Sequence, residues 1–299
     1  MPGFSQILND VRKGNQIDYS QLEAKRKELL LNISKKTGRN VIAYYSGWMY
    51  HQQSADVAIN DKDTNAFMEA VYGMDKSKGL DLILHTPGGD IAATEQIINY
   101  LHSLFNNDIR AIIPQMAMSA GSLISVSCKE IIMGKKSCLG PFDPQSGGVA
   151  CQSVIKEFEK AKEDVKNHPE SLGLWQVIIS KYNPTFILSC EQAVELADEL
   201  ADKILSKIIK KEEDREKIKK LFNNNTESKT HRRHFSKEKV KKTGLCITDL
   251  ESDNEFQDLV LSLHHSYLIT LESTPIVKIV ENQIGGKYVR AIPMPRTGK

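Results

Sequence analysis

Short apolar runs alternate with longer amphipathic stretches between residues 40 and 140. Four of the runs have the β-branched and aliphatic composition of buried strands: 40–46, 80–85, 109–114 and 130–133. The stretches between them have the spacing of helices: 61–72, 90–105 and 118–128. Strands that alternate with helices predict an α/β fold, in which parallel strands are connected by crossover helices.

The pattern differs on both sides of this alternating region. Residues 1–37 contain a charged amphipathic helix and are predicted to form an N-terminal helical arm. Residues 38–250 form the predicted core domain, to which residues 152–222 contribute additional helices. Residues 251–299 are predicted to form a C-terminal helix and a β-hairpin around a Gly-Gly pair.

The composition narrows the class of protein without identifying a partner. Of the 299 residues, 40% are hydrophobic and 26% are charged, which suits a folded protein with a sizeable core. A net charge of +2 gives no reason to expect nucleic-acid binding, and no apolar stretch approaches the roughly 20 residues that insert stably in a membrane. The five cysteines lack a C-x-x-C spacing, so neither disulfides nor a metal site is predicted. Because residues 1–16 show no signal peptide, we expect a cytoplasmic protein.

Two glycine-bearing turns each close an apolar strand and open a helix. They are Thr86–Asp90, with the sequence TPGGD, and Ala117–Ser122, with the sequence AMSAGS. Such turns leave main-chain N–H groups pointing into solvent, where they can bind an oxyanion. The first turn is also typical of any doubly wound sheet, so an oxyanion hole at Gly88 and Gly89 is one of two interpretations.

Ser119 in the second turn is a candidate nucleophile. Its neighbours are small, so nothing bulky shields its hydroxyl, and the helix N-terminus favours negative charge nearby. The alternative is that Ser119 only caps the helix, with Ser122 and Ser125 as further polar packing residues. Spacing alone does not decide between the two interpretations.

A serine nucleophile needs a base. None of the eight histidines stands out, although His231 and His234 lie in a charged loop that would be able to fold over the site. On the predicted helix after the proline-rich loop, Lys162 lies about 40° from Phe158 and is the one lysine within the apolar arc. A lysine in this position either extends its amine to water at the rim of the apolar face or is kept uncharged by burial, in which case it can act as a base. Because a serine nucleophile would lack a histidine, Lys162 is the best candidate, whereas Lys160 faces away.

Three motifs in this chain resemble those of the Clp-fold serine peptidases. They occur in the same order and at matching separations, within residues 80–90, 117–122 and 133–145. The resemblance covers roughly residues 38–250. The subgroup labelled serine dehydrogenase proteinase is the most similar, and signal peptide peptidase A is a more distant relative.

The resemblance implies a ClpP-like and crotonase-like spiral of parallel strands with crossover helices. It also implies Ser119 as the nucleophile. The oxyanion hole would then be formed by the N–H groups of Gly88 or Gly89 and of Ala120.

The resemblance also bears on the base. Where Clp proteases carry their catalytic histidine, the matching loop here has Asp143 and no histidine. This departure points to the Ser-Lys dyad of the signal peptide peptidase branch. Lys162 lies 43 residues after Ser119 and fits the spacing of that branch, as Lys160 also does.

Two further expectations follow from the resemblance. The name of the subgroup refers to a serine-degrading activity that requires pyridoxal phosphate, but no lysine here has a phosphate-binding setting, so we expect no cofactor. Relatives assemble into rings or stacked oligomers. We therefore expect a homo-oligomer, for which residues 251–299 are a candidate interface.

The predicted function is a serine peptidase that cleaves peptides or unfolded proteins through an acyl-enzyme on Ser119, with Lys162 as the base. Two other functions share the fold. One is a crotonase-type acyl-CoA enzyme, which would use Asp90 or Glu95 as its acidic group. The other is a catalytically inactive Clp-fold scaffold that binds peptides.

Overall fold

The computed structural model describes residues 3–14, 16–224 and 228–293. The chain forms two compact units. The first unit comprises Met1–Leu139 and His234–Lys299, and the second unit comprises Gly140–Arg233.

The secondary structure of the described residues is as follows. The strands are β1 (Arg12–Lys13), β2 (Gln16–Ile17), β3 (Asn40–Ser46), β4 (Leu80–His85), β5 (Ile109–Ile113), β6 (Met116–Ala117), β7 (Glu130–Met133), β8 (Cys138–Leu139), β9 (Gln145–Ser146), β10 (Val149–Ala150), β11 (Phe235–Ser236), β12 (Ile247–Asp249), β13 (Ile276–Asn282) and β14 (Lys287–Ala291). The helices are α1 (Phe4–Asp10), α2 (Tyr19–Thr37), α3 (Lys62–Val71), α4 (Ile91–Phe105), α5 (Ala120–Val126), α6 (Cys151–Asn167), α7 (Leu172–Ile179), α8 (Phe186–Ile208), α9 (Glu212–Phe222), α10 (Lys237–Lys241) and α11 (Asn254–Ser273).

A seven-stranded sheet forms the centre of the first unit, with the strand order β12-β7-β5-β4-β3-β13-β14. The strands from β12 to β3 are parallel to their neighbours, whereas β13 runs antiparallel to both β3 and β14. The predicted α/β fold with a mostly parallel sheet is therefore confirmed. The crotonase-like detail stays a prediction.

The central strands are predictable because a parallel sheet is buried on both faces and needs continuous apolar runs. Every residue of β3 and β4 is buried, and both strands have the predicted bounds. The helix after β4 begins where Asp90 Oδ1 accepts a hydrogen bond from the Ala93 N–H at 2.8 Å, as its capping role predicts. It ends at Asn106, which adopts the left-handed conformation with φ 49°.

The two ends of the chain are integral parts of the first unit. Leu30 and Ile33 of α2 belong to the same buried cluster as Leu263 of α11. The predicted hairpin is present, but its strand β13 pairs with β3 and so extends the central sheet. Both terminal segments therefore bury apolar side chains against the central sheet of the first unit.

A smaller sheet in the first unit holds the segment before the second glycine turn. Strand β6 pairs in parallel with β8, which in turn pairs antiparallel with β11. An isolated parallel bridge joins Ala117 of β6 to Thr86, the residue that follows β4. The two glycine turns therefore begin from neighbouring strands.

The described part of the second unit consists of the hairpin β9–β10 and the helices α6 to α9. Helices α6 and α8 share an apolar cluster built on Cys151, Val154 and Cys190. This confirms the helices predicted within 152–222. None of the described helices of either unit is long and apolar enough to cross a membrane.

His85 at the end of β4 belongs to a buried aromatic cluster of the first unit. Its ring centroid lies 4.4 Å from that of Trp48, 5.4 Å from that of Tyr45 and 5.1 Å from that of His264. Burial lowers the pKa of His85 to about 3, and the Met116 main chain only partly offsets this effect. The imidazole is therefore neutral near pH 7 and acts as a packing group.

The buried imidazole predicts a loss of stability in acid. The pKa of His85 is about 3 in the folded state but about 6.5 in an unfolded chain, so the unfolded state binds more protons between these values. Stability is therefore complete above about pH 6.5 and falls as the pH drops toward 3. We expect this group to lower the free energy of unfolding by about 3 kcal/mol between about pH 7 and pH 4.

Urea unfolding across this pH range measures the effect. His85→Phe should flatten the dependence of the unfolding free energy on pH. His168→Asn is the control, because the side chain of His168 is exposed in the second unit. Equal pH dependence in His85→Phe and wild type would contradict the prediction.

Candidate active site

The two glycine turns of the first unit lie side by side. The Thr86 N–H donates to Met116 O at 3.2 Å, and the Met118 N–H donates to Thr86 O at 3.0 Å. At Gly88, a Cβ would lie 2.6 Å from both Met118 O and Ser119 Cβ. The φ of +94° at Gly88 also lies in the left-handed region. A side chain at this position would therefore push the turns apart.

Ser119 has an unusual main-chain conformation at the N-terminus of α5. Its φ of 51° and ψ of −122° are strained for a residue with a Cβ, and such strain is concentrated at functional sites. The residue occupies the N-cap position, but its side chain makes no capping hydrogen bond and is half-buried. The interpretation of Ser119 as a simple helix cap is therefore wrong. A serine at a sharp strand-to-helix turn is the arrangement that exposes a nucleophilic hydroxyl.

The two serines within α5 have packing roles. Ser122 Oγ donates to Ala117 O at 2.7 Å, and Ser125 Oγ donates to Gly121 O at 2.7 Å. Both side chains are buried. Ser119 thus differs from them in being half-buried and in making no side-chain hydrogen bond among the described residues.

Two main-chain N–H groups next to Ser119 have no acceptor among the described residues: those of Gly89 and Ala120. The Ala120 N–H is the first of α5, where an intrahelical acceptor is lacking by geometry. The Gly89 N–H points away from Ile59, because the parallel bridge between these two residues uses the peptide groups on either side of Gly89. A pair of free N–H groups beside a hydroxyl is the arrangement that stabilises a tetrahedral oxyanion.

The N–H group of Gly88, the third predicted oxyanion donor, already has an acceptor. The Gly88 N–H donates to Thr86 Oγ1 at 3.1 Å within its own turn. Of the two glycines that the sequence proposes for this role, the geometry therefore favours Gly89. Gly88 instead provides the close approach to Ser119.

Lys162 is not sheltered as expected. Both Lys162 and Lys160 are exposed on α6. The angle from Phe158 along the helix is as predicted, but the face of α6 that packs against α8 is narrow, and Val154 and Ala161 fill its buried positions. A lysine at the edge of such a stripe keeps its amine in water.

A histidine and a buried aspartate form a hydrogen-bonded pair in the second unit. His231 Nδ1 lies 2.9 Å from Asp143 Oδ1, and Gln145 Nε2 donates to Asp143 Oδ2 at 2.9 Å. The side chain of Asp143 is 1% exposed and that of His231 is 26% exposed. A carboxylate acceptor assigns the proton of a neutral imidazole to Nδ1, so Nε2 carries the lone pair that can accept a proton.

The sequence considered alone gives no reason to pair Asp143 with His231, since 88 residues separate them. The available signal is the setting of Asp143, which lies between Phe142 and Pro144 in a proline-rich loop. A carboxylate in apolar surroundings needs a hydrogen-bonding partner. A loop histidine is one of the side chains able to supply it.

The buried lysines of the described chain do not fit a pyridoxal phosphate site. Each amine is already paired with a carboxylate: Lys219 with Asp202, Lys237 with Asp249 and Lys278 with Asp63. None is therefore open to the aldehyde of that cofactor. The described residues also contain no group of three or more acidic, histidine or cysteine side chains that would hold a metal ion.

Comparison of the sequence with known protein families gives a match. The family described as ClpP-like SDH-type serine proteinase matches residues 13–284. The chain belongs to this family. The matched range of this chain includes Ser119, Asp143 and His231. The more distant relation to signal peptide peptidase A stays a prediction.

Two curated relatives come from Methanocaldococcus jannaschii. The chain is 34% identical to uncharacterized protein MJ0137 over 156 residues, which are 50% of this chain and 53% of the relative. It is 34% identical to uncharacterized protein MJ1495 over 151 residues, which are 48% of this chain and 50% of the relative. The chain thus spans about half the length of the curated relatives it matches.

The contact between the turns predicts that Gly88→Ala displaces Ser119 from its present conformation. The new Cβ would meet Met118 O and Ser119 Cβ at 2.6 Å, so the serine turn must shift. We expect the rate of Ser119 labelling by a fluorophosphonate to fall about 100-fold, as when an oxyanion donor is lost. Gly173→Ala is the control, because a Cβ there meets nothing within 4 Å. Wild-type labelling of Gly88→Ala, with an unchanged circular dichroism spectrum, would contradict the proposed packing.

Proposed function

We propose that this chain is a serine peptidase in which Ser119 attacks a peptide carbonyl and forms an acyl-enzyme. One observation carries the proposal. Ser119 has a positive φ, and its hydroxyl makes no capping hydrogen bond. It lies next to the main-chain N–H groups of Gly89 and Ala120, which have no acceptor among the described residues. Membership of a serine proteinase family supports the same reaction class.

The reaction would proceed in two halves. Ser119 Oγ bonds to the carbonyl carbon while a base takes its proton, and negative charge develops on the carbonyl oxygen. The N–H groups of Gly89 and Ala120 would donate to that oxygen. The protonated base then gives its proton to the leaving amine, and a water molecule repeats the sequence to release the acid.

We propose two candidates for the base, and the first is His231, which is oriented by Asp143 within the second unit. The 2.9 Å hydrogen bond between them and the burial of Asp143 support this assignment. A carboxylate on Nδ1 holds the ring and stabilises the imidazolium that forms during the reaction. Lys162 is the alternative base, but its exposed amine would need a substrate or a second copy of the chain to exclude water from it.

Peptides or unfolded proteins are the proposed substrates, and a homo-oligomer is the proposed assembly. A crotonase-type acyl-CoA enzyme has less support. One of its two candidate acidic groups, Asp90, is engaged in capping α4 through the Ala93 N–H. An inactive scaffold would not require the strained conformation of Ser119.

Covalent labelling tests the nucleophile. Ser119→Ala should abolish labelling by a fluorophosphonate probe, because the probe reacts with an activated hydroxyl. Ser125→Ala is the matched control, since it removes a buried packing hydroxyl from the same helix. Mass spectrometry of the labelled peptide identifies the site. Labelling that persists in Ser119→Ala would refute the assignment, and an unlabelled wild type would favour the acyl-CoA enzyme or the scaffold.

A second comparison tests the base. Labelling of Ser119 that slows by at least about 100-fold in both His231→Ala and Asp143→Asn, as the loss of a general base causes, would identify His231 as the base. With His231 as the base, Lys162→Ala should change the rate by less than about twofold. Slow labelling in Lys162→Ala with a normal rate in His231→Ala would show that the amine is the base instead.

A further inference from the structure

The main chain of Ile59 is hydrogen-bonded to the first glycine turn. The Ile59 N–H donates to Gly88 O at 2.8 Å, and the Asp90 N–H donates to Ile59 O at 2.9 Å. A Cβ on Gly89 would lie 2.3 Å from Ile59 N and O, so the two main chains are in direct contact. Because these bonds use the peptide groups on both sides of Gly89, they fix the direction of its own N–H.

A buried ion pair holds the residues on either side of Ile59. Lys278 Nζ lies 2.8 Å from Asp63 Oδ2 and donates to Ala58 O at 2.8 Å. Asp63 Oδ2 also accepts a hydrogen bond from the Asn60 N–H at 3.0 Å. The side chains of Lys278 and Asp63 are 2% and 1% exposed. Both charges are thus withdrawn from water and directed at the main chain that borders Ile59.

Strand β3 adds two more tethers. The Tyr44 O–H donates to Asp63 Oδ2 at 2.9 Å. Ser46 Oγ donates to Val57 O at 2.6 Å. Residues 57, 58 and 60 are therefore each held by a side chain of the central sheet or of α3. A buried ion pair is weak evidence for stability, but it is well suited to fixing one geometry.

We propose that the Lys278–Asp63 ion pair positions the Gly89 N–H for the oxyanion of the peptidase reaction. The pair acts through the main chain around Ile59 and does not contact the reacting atoms. This inference rests on the proposed function. Loss of a tether should therefore slow the chemical step at Ser119 while leaving the binding of a probe unchanged.

A second buried ion pair provides a matched control. Glu281 pairs with Arg26, and the Tyr267 O–H donates to Glu281 at 3.1 Å. Tyr267 and Tyr44 are both buried, and each is stacked on another aromatic ring. Among the contacts of the described residues, this second pair makes no hydrogen bond to residues 57–60. Tyr44→Phe and Tyr267→Phe thus each remove one buried hydroxyl that donates to a carboxylate of an ion pair. Only the ion pair next to Tyr44 is hydrogen-bonded to residues 57–60.

The kinetic test uses the full-length protein and a fluorophosphonate, at concentrations that separate the inactivation rate constant kinact from the binding constant KI. We expect Tyr44→Phe to lower kinact about fivefold to tenfold with KI unchanged, and Asp63→Asn to lower kinact by about 100-fold, the range of a lost oxyanion donor. Tyr267→Phe should change kinact by less than about twofold. Equal kinact in Tyr44→Phe and wild type, or equal losses in both tyrosine variants, would overturn the inference.

Hydrogen exchange gives a readout that does not depend on the reaction at Ser119. Tyr44→Phe should speed amide exchange about tenfold in peptides that cover 57–60 and 86–90, because their local opening becomes easier. Tyr267→Phe should not. A wild type that resists labelling would count against the peptidase proposal alone. The exchange comparison then still decides whether the ion pair holds the turn, and unchanged exchange in Tyr44→Phe would refute that role.

Discussion

The close contact between the two glycine turns is the constraint on which the site of the first unit depends. A strained residue such as Ser119 costs about 1–3 kcal/mol and persists only where its surroundings determine its conformation. Here the surroundings are the bridge from Thr86 on one side and α5 on the other, and every residue of α5 is buried. Gly88 permits the contact because it has no side chain to separate the turns. The unusual conformation of Ser119 is thus imposed by the core of the first unit.

Strand β13 carries two charged residues whose side chains are buried against the central sheet. Withdrawing a charge from water costs several kcal/mol, and only good geometry with further hydrogen bonds offsets that cost. Lys278 and Glu281 on β13 each meet an opposite charge, and the hydroxyls of Tyr44 and Tyr267 complete the two sets of partners. A strand that only closed the sheet would be apolar. Strand β13 therefore provides buried charged side chains in addition to its hydrogen bonds with β3 and β14.

Most of the sheet could be predicted from the sequence because burial on both faces leaves a local signal. The strands 40–46 and 80–85 need continuous apolar runs, and the sequence shows their bounds directly. Partners that are distant in sequence leave no such signal. The angular position of Lys162 on α6 can be read from the local sequence. How wide a face of α6 is buried depends on α8, which is distant in sequence, so the exposure of Lys162 could not be predicted. For the same reason, the apolar faces of α2 and α11 could be predicted, whereas their packing into one core could not.

Two histidines show how strongly the surroundings decide whether an imidazole can serve as a base. A base must accept a proton as the serine loses one, so its environment has to tolerate an imidazolium. His85 directly precedes the first glycine turn, but it is packed among aromatic rings that lower its pKa to about 3 and strongly disfavour the charged form. His231 is far from the turn in sequence, but the buried Asp143 carboxylate lies 2.9 Å from its ring. A carboxylate held in place by burial is the feature that stabilises a transient positive charge, and Asp143 gives His231 this feature within the second unit.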